Sequence, residues 1–330
     1  EVRLDNGQRL FLDFYGPNIF RLFLDPAGGI LRDPKAEPEA QILVDNPRKP
    51  VALRFFGNSI ATDCLTVEID PATGALKANG LQIPAPEFQK GKTVVTLSQQ
   101  DGEYFFGGGV QNGRFSHRGK IIAIENTNNW VDGGVASPSP YFWSTGGYGV
   151  MGYTFAPGKY DFGATEAGKT VLMHETPYLD YFFTFSQGAV ALLNDYYQLT
   201  GHPVLLPKFG FYEGHLNAYN RDYWTEAENG FMAYEDGKRY NESQKDNGGV
   251  RESLNGELNN YQFSARAALD RYLDNDFPLG WFLPNDGYGA GYGQTATLDG
   301  NVQNLKEFGD YARSKGVEIG LWTQSDLHPK

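Results

Sequence analysis

The chain has 330 residues, a formal net charge of −12 and 40% hydrophobic content, enough for about two domains at ~150 residues each. The acidic balance, with no cluster of Lys and Arg, excludes nucleic acid and anionic membrane surfaces as partners. No apolar run approaches the ~20 residues of a membrane span, so no membrane insertion is expected.

Aromatic residues make up 15% of the chain, which suits β-rich packing and also provides flat apolar faces that stack on sugar rings. Cys64 is the one cysteine; it alternates with Leu65, Val67 and Ile69 and reads as a plain structural thiol. One cysteine does not fix the compartment, since many secreted bacterial proteins lack disulfides. A secreted or cell-surface location is expected, with the cytoplasm left open.

From residue 1 to about 200 the chain reads as short strands, at 9–15, 19–24, 52–56, 65–70, 93–97 and 120–124. Turns punctuate them. The run 71–74 and the pair Gly146 and Gly147 are hairpin connections, whereas Gly107, Gly108 and Gly109 precede no helix and read as a turn. Strands at this spacing imply a β-sandwich. A helix follows at 188–199, where Val190, Ala191, Leu193 and Tyr197 share a face. Gly201, Pro203 and Pro207 then break the pattern, so 202–208 is a linker between domains at 1–205 and 206–330.

Beyond the linker the pattern alternates: strand at 209–213, helix at 263–273 with Ser264 near its start, strand at 279–285, helix at 302–314, strand at 317–323. Such alternation implies parallel strands with right-handed crossovers. The expected fold is a β-sandwich followed by the first three βα units of a (β/α)8 TIM barrel. A closed barrel needs about eight units and ~250 residues, and an uncovered parallel edge is unfavourable, so an N-terminal portion of a larger enzyme is expected. The segment 216–261 is too long for an ordinary βα connection and reads as an insertion over the barrel mouth, carrying Tyr219, Tyr223, Trp224, Phe231, Tyr234 and Tyr240.

The run 279–292 is the most informative stretch. An apolar strand empties into a loop of glycine and tyrosine carrying Asp286, as expected where barrel strands end in an active site. Gly287, Gly289, Gly291 and Gly293 do not meet the dinucleotide spacing. His117, His174, His202, His215 and His328 show no ligand spacing, no metal or cofactor is expected, and a structural calcium ion stays open. No Gly-x-Ser-x-Gly elbow occurs. Carboxylates beside aromatics remain, the groups that flank an oxocarbenium-like transition state at a glycosidic bond. Asp286 is the first candidate and Glu213 the second. A strand cap at Asp286 and an ion-paired Glu213 are the structural alternatives.

Three separated segments resemble glycoside hydrolase family 31. The first runs from Phe105-Phe106-Gly107-Gly108-Gly109-Val110-Gln111 through Arg118, Asn126-Thr127-Asn128 and Tyr141-Phe142-Trp143-Ser144. The second runs from Leu179-Asp180-Tyr181 to Gly201-His202-Pro203, and the third is the Asp286 stretch with 314–323. The resemblance implies a retaining mechanism on α-linked sugars, with both catalytic Asp residues beyond Lys330 in the remaining C-terminal part of the enzyme. Where family α-glucosidases have Trp-Leu-Asp-Ile-Asp-Tyr, this chain has Phe282-Leu283-Pro284-Asn285-Asp286-Gly287, and Asn128 stands where an Asp is common.

Each departure removes a charged acceptor, the stronger kind of hydrogen-bond partner. These changes are similar to the branch that releases terminal α-linked N-acetylgalactosamine from glycans or glycoproteins. By that resemblance Asp286 binds sugar hydroxyls, Asn128 adds a polar contact, Tyr288 or Trp322 offers apolar contact, and Gln324 and Asp326 lie nearby. α-Glucosidase, α-galactosidase and a non-catalytic carbohydrate-binding or adhesion protein are the alternatives.

Overall fold

The computed structural model describes residues 1–31, 42–127, 129, 131–216, 223–243, 245–251, 261–283 and 302–320. The chain divides into two compact units, Glu1–Pro203 and Val204–Lys330.

In the first unit a seven-stranded antiparallel sheet runs in the order Val2–Arg3, Arg9–Gly16, Ile19–Leu24, Leu179–Phe185, Tyr148–Gly152, Val135–Ser144, Phe105–Gln111. A five-stranded sheet, ordered Ile121–Ile124, Gly158–Phe162, Lys169–His174, Lys92–Ser98, Glu87–Gln89, shares one apolar core with it. Phe105 and Phe162 meet across that core with ring centroids 4.8 Å apart. A five-stranded meander from Arg54–Phe56 to Leu81–Ile83 closes the same core through Val67, Ile69, Leu76 and Leu81. Its last hairpin turns on Asn79 and Gly80, whose φ of 46° and 93° give the left-handed pair that matches strand twist. Cys64 is exposed.

The strand Leu179–Phe185 is buried at every position because both of its faces are covered. Leu179, Tyr181, Phe183 and Phe185 enter the sandwich core. Phe182 faces the other way, with Tyr15, Tyr141, Tyr153 and Leu199. That outer layer is completed by helix α1 (Ala189–Thr200), whose Leu193 and Tyr196 pack on it. Asp180 lies in the same layer, tolerated because Arg21 donates to both of its oxygens at 2.7 and 2.6 Å.

In the second unit Glu213–Leu216, Leu279–Leu283 and Glu318–Ile319 pair in parallel, in that order. Helices α2 (Ala265–Asp274) and α3 (Val302–Ser314) connect them, and Leu269, Phe282, Leu305, Phe308 and Val317 form their core. Ser264 caps α2 by accepting from the Ala267 N–H at 3.2 Å. The described residues thus hold three parallel strands and two connecting helices in the expected alternation.

Three expectations change. The strand expected at 209–213 is a 3₁₀ turn, Lys208–Phe211, and the first parallel strand is Glu213–Leu216. The triple glycine is a bulge inside a strand, where Phe105–Gln111 changes register against Val135–Ser144. The insertion forms a four-stranded antiparallel sheet, ordered Met232–Ala233, Arg239–Ser243, Tyr223–Glu226, Val250–Arg251. Trp224, Tyr240 and Phe263 give it a small core of its own, with Tyr234 and Val250 packed against them.

Candidate active site

Parallel βα sheets present chemistry at the carboxyl ends of their strands. Here those ends are Leu216, Leu283 and Ile319. Close packing fixes the central strand in place. A Cβ on Gly214 would sit 2.0 Å from the Trp281 ring, and one on Gly280 would sit 2.2 Å from the Phe209 carbonyl oxygen. Gly320 donates its N–H to the Phe282 carbonyl at 3.0 Å and so aligns the end of the third strand.

Asp286 and Tyr288 follow the central strand, and Trp322, Gln324 and Asp326 follow the third. These five residues and Asn128 lie outside the described residues, as do Pro284 and Asn285. Glu213 is described. It opens the first parallel strand rather than ending it, its side chain is exposed, and its N–H donates to the Pro278 carbonyl at 3.1 Å. The 3₁₀ turn shifts the strand toward the C-terminus and leaves Glu213 at the amino end.

The inserted sheet is anchored to α2. Arg271 donates to both carboxylate oxygens of Glu235, at 2.6 and 3.1 Å, and to the Gln262 carbonyl at 2.6 Å. Its guanidinium also lies 4.9 Å from the Tyr234 ring centroid. The hydrogen bond from Arg271 holds the Glu235 carboxyl below its ordinary range. Trp224 and Phe263 stack at 5.6 Å with 12° between planes. Asp270 accepts from Tyr311 at 2.5 Å and from Tyr261, and burial together with this hydrogen bond pushes the Tyr311 phenol up to about 12.

In the first unit the described loop residues on either side of position 128 are tied by hydrogen bonds. Thr127 donates its hydroxyl to the Val135 carbonyl at 3.1 Å, and the Asn129 N–H bonds the same oxygen at 3.2 Å. Asn112 grips the loop three times. Its side chain donates to the Asn129 carbonyl at 2.7 Å, its N–H to the Gly134 carbonyl at 3.0 Å, and its carbonyl accepts from the Gly133 N–H at 2.9 Å.

Nothing in the sequence pattern announced Arg271 or Asn112. Their partners are backbone carbonyls and residues far along the chain. Among the described residues no group of three His, Cys, Asp or Glu is placed to hold a metal ion, and no helix is long and apolar enough to cross a membrane.

The solved structures similar in fold to this chain include several glycoside hydrolase family 31 enzymes. A Flavobacterium johnsoniae family 31 dextranase, complexed with isomaltotriose, matches with a TM-score of 0.71 at 15% identity, over 96% of this chain and 36% of that one. A family 31 α-xylosidase from a soil metagenome, complexed with xylose, matches with a TM-score of 0.63 at 16% identity, over 96% and 44%. The cycloalternan-forming enzyme of Listeria monocytogenes, in complex with a pentasaccharide substrate, matches with a TM-score of 0.65 at 15% identity, over 98% and 30%. The chain thus spans between 30% and 44% of the length of these structures. No family model and no curated protein sequence matches it.

Proposed function

We propose that this chain is the N-terminal portion of a retaining, exo-acting α-glycoside hydrolase that releases terminal α-linked N-acetylgalactosamine from glycans or glycoproteins. The observation that supports a glycosidase is likeness in fold along 96% of the chain to enzymes solved with bound sugars. The nucleophile and the acid, both Asp, would belong to the remaining C-terminal part of the enzyme, within an eight-stranded barrel begun by the three strands seen here.

Sugar recognition would fall to Asp286, with Asn128 as a second polar contact, Tyr288 or Trp322 as an apolar one, and Gln324 and Asp326 at the end of strand three. Glu213 is left out of this set because it sits at the amino end of its strand. Pro284 and Asn128 replace acceptors that hold a glucose-type sugar, and this favours an acetamido sugar.

The test is a panel of aryl α-glycosides with the full-length protein, with product stereochemistry followed by NMR. Hydrolysis of the N-acetylgalactosaminide with retention is expected. Preference for the glucoside supports the second reading, an α-glucan hydrolase, which likeness to a dextranase favours. Sugar binding without turnover would reject an enzyme in favour of a carbohydrate-binding protein.

A further inference from the structure

The five-stranded sheet of the first unit carries a cleft of about 420 Å³, within the ~300–1,000 Å³ of small-ligand sites. Ile122, Tyr160 and Leu172 of its strands enter the sandwich core, so the alternating residues Ile121, Ala123, Lys159 and Met173 stand on the opposite face, where they line the cleft. Lys159 pairs in register with Ala123 on one side and Met173 on the other. It therefore rises from the middle of an aliphatic floor.

Arg114 lines the cleft beside it. This side chain is half-buried, its Nη1 donates to the Ile121 carbonyl at 2.9 Å, and its Nη2 lies beside Gly133, where an added Cβ would come within 3.4 Å. The planar fork is thus held in place with its remaining donors uncommitted among the described residues. Neither Arg114 nor Lys159 is in an ion pair among those residues. Of the two carboxylates at the cleft, Glu175 is taken by Lys92 at 2.8 Å, and only the exposed Glu125 is free. Two free cations share the cleft with one free carboxylate, in a chain whose net charge is −12.

An apolar ligand would cover these charges without pairing them, which is unfavourable. A bare anion would leave the aliphatic floor unused and would meet Glu125 with like charge. A ligand that joins an anionic group, hydroxyl donors and a C–H face satisfies all three features. We propose that this cleft binds an acidic saccharide. Its carboxylate or sulfate is held by Arg114 and Lys159, a hydroxyl donates to Glu125, and its C–H face rests on Ile121, Ala123 and Met173. The site goes beyond the glycosidase reading and does not rest on it, since it uses neither Asp286 nor the residues proposed with it.

Calorimetric titration of the full-length protein with sialyllactose, sulfated lactose and lactose at low salt tests the proposal. At least one acidic saccharide should bind about tenfold or more tighter than lactose, the worth of charge-assisted hydrogen bonds, and the tighter of the two identifies the anion. Added salt should erode that preference. Arg114→Gln and Lys159→Gln should each weaken acidic binding about tenfold, whereas Glu125→Gln, which keeps an acceptor and removes a repelling charge, should not weaken it. Lactose binding as tightly as both acidic saccharides would overturn the proposal. So would acidic binding undiminished in Lys159→Gln, an exposed position whose variant reports on the cleft even where Arg114→Gln fails to fold. Turnover is not read here, so a wild-type enzyme without glycosidase activity would reject the function proposed above and leave these affinities standing.

Discussion

The Trp281 indole lies against Gly214 so closely that a single added Cβ would come within 2.0 Å of the ring. The contact joins neighbouring parallel strands at paired positions, Gly214 against Trp281. Gly214→Ala is expected to destabilise the second unit by about 1–3 kcal/mol, the usual cost of overpacking. Urea unfolding followed by tryptophan fluorescence would check this, and an unchanged midpoint would contradict it.

Arg21 and Asp180 form a pair with side chains only 4% and 8% exposed. Burial pushes the Asp180 carboxyl up against the pull of Arg21. Asp180→Ala removes the carboxylate that meets the buried Arg21 guanidinium at two oxygens and should cost about 3–5 kcal/mol, whereas replacing both partners by apolar residues should recover much of that loss. A double-mutant cycle in denaturant measures the difference.

Burial lowers the pKa of His174 below its ordinary 6.5. Its Nδ1 faces the Ala156 carbonyl at 3.0 Å and its Nε2 the Tyr160 hydroxyl at 2.9 Å, so the neutral ring donates at one nitrogen and accepts at the other. The unfolded chain binds this proton more readily than the folded one, so the contribution to stability is full above about pH 6.5 and falls as pH drops toward the folded value. Denaturation midpoints measured from pH 7.5 to 5 should decline less steeply in His174→Gln than in the wild type.

Trp224, 6% exposed, and Phe263, 3% exposed, carry the core of the inserted sheet. Trp224→Ala should cost about 3–5 kcal/mol locally. Limited proteolysis should then cut within 223–251 first, with the sandwich still intact. Simultaneous loss of both units would show that the insertion does not melt on its own.

Asp286 is the proposed charged acceptor for sugar hydroxyls. Hydrogen bonds to charged groups are worth about 1.5–3 kcal/mol, so Asp286→Ala should lower kcat/KM by roughly tenfold to a hundredfold. Normal turnover by the variant would remove Asp286 from the site.

Patterns carried by neighbours in sequence were legible. Ser264 announced the start of α2, and the Pro71 to Gly74 turn joined its two strands. Features made by distant partners were not. The inserted sheet is built from strands of two to five residues, and its core forms where Trp224 stacks on Phe263, beyond the reach of any local periodicity. The triple glycine looked like a turn because only the opposing strand reveals the bulge. Glu213 looked like a strand end because the apolar run Phe209 to Phe211, which folds as a 3₁₀ turn, mimics a strand in composition.

The place of Leu179–Phe185 bears on how the chain is made. It is the last strand of its sheet to be synthesised, yet it sits at the centre, next to Ile19–Leu24. Arg21 and its partner Asp180 are 159 residues apart, which at ~5–20 residues per second means a delay of roughly 8–30 s on the ribosome. Throughout that interval the apolar Ile19–Leu24 strand has an open edge, the kind of surface that pairs wrongly. Nascent chains released before Phe185 should therefore aggregate, and those released just after α1 should be the shortest to stay in solution.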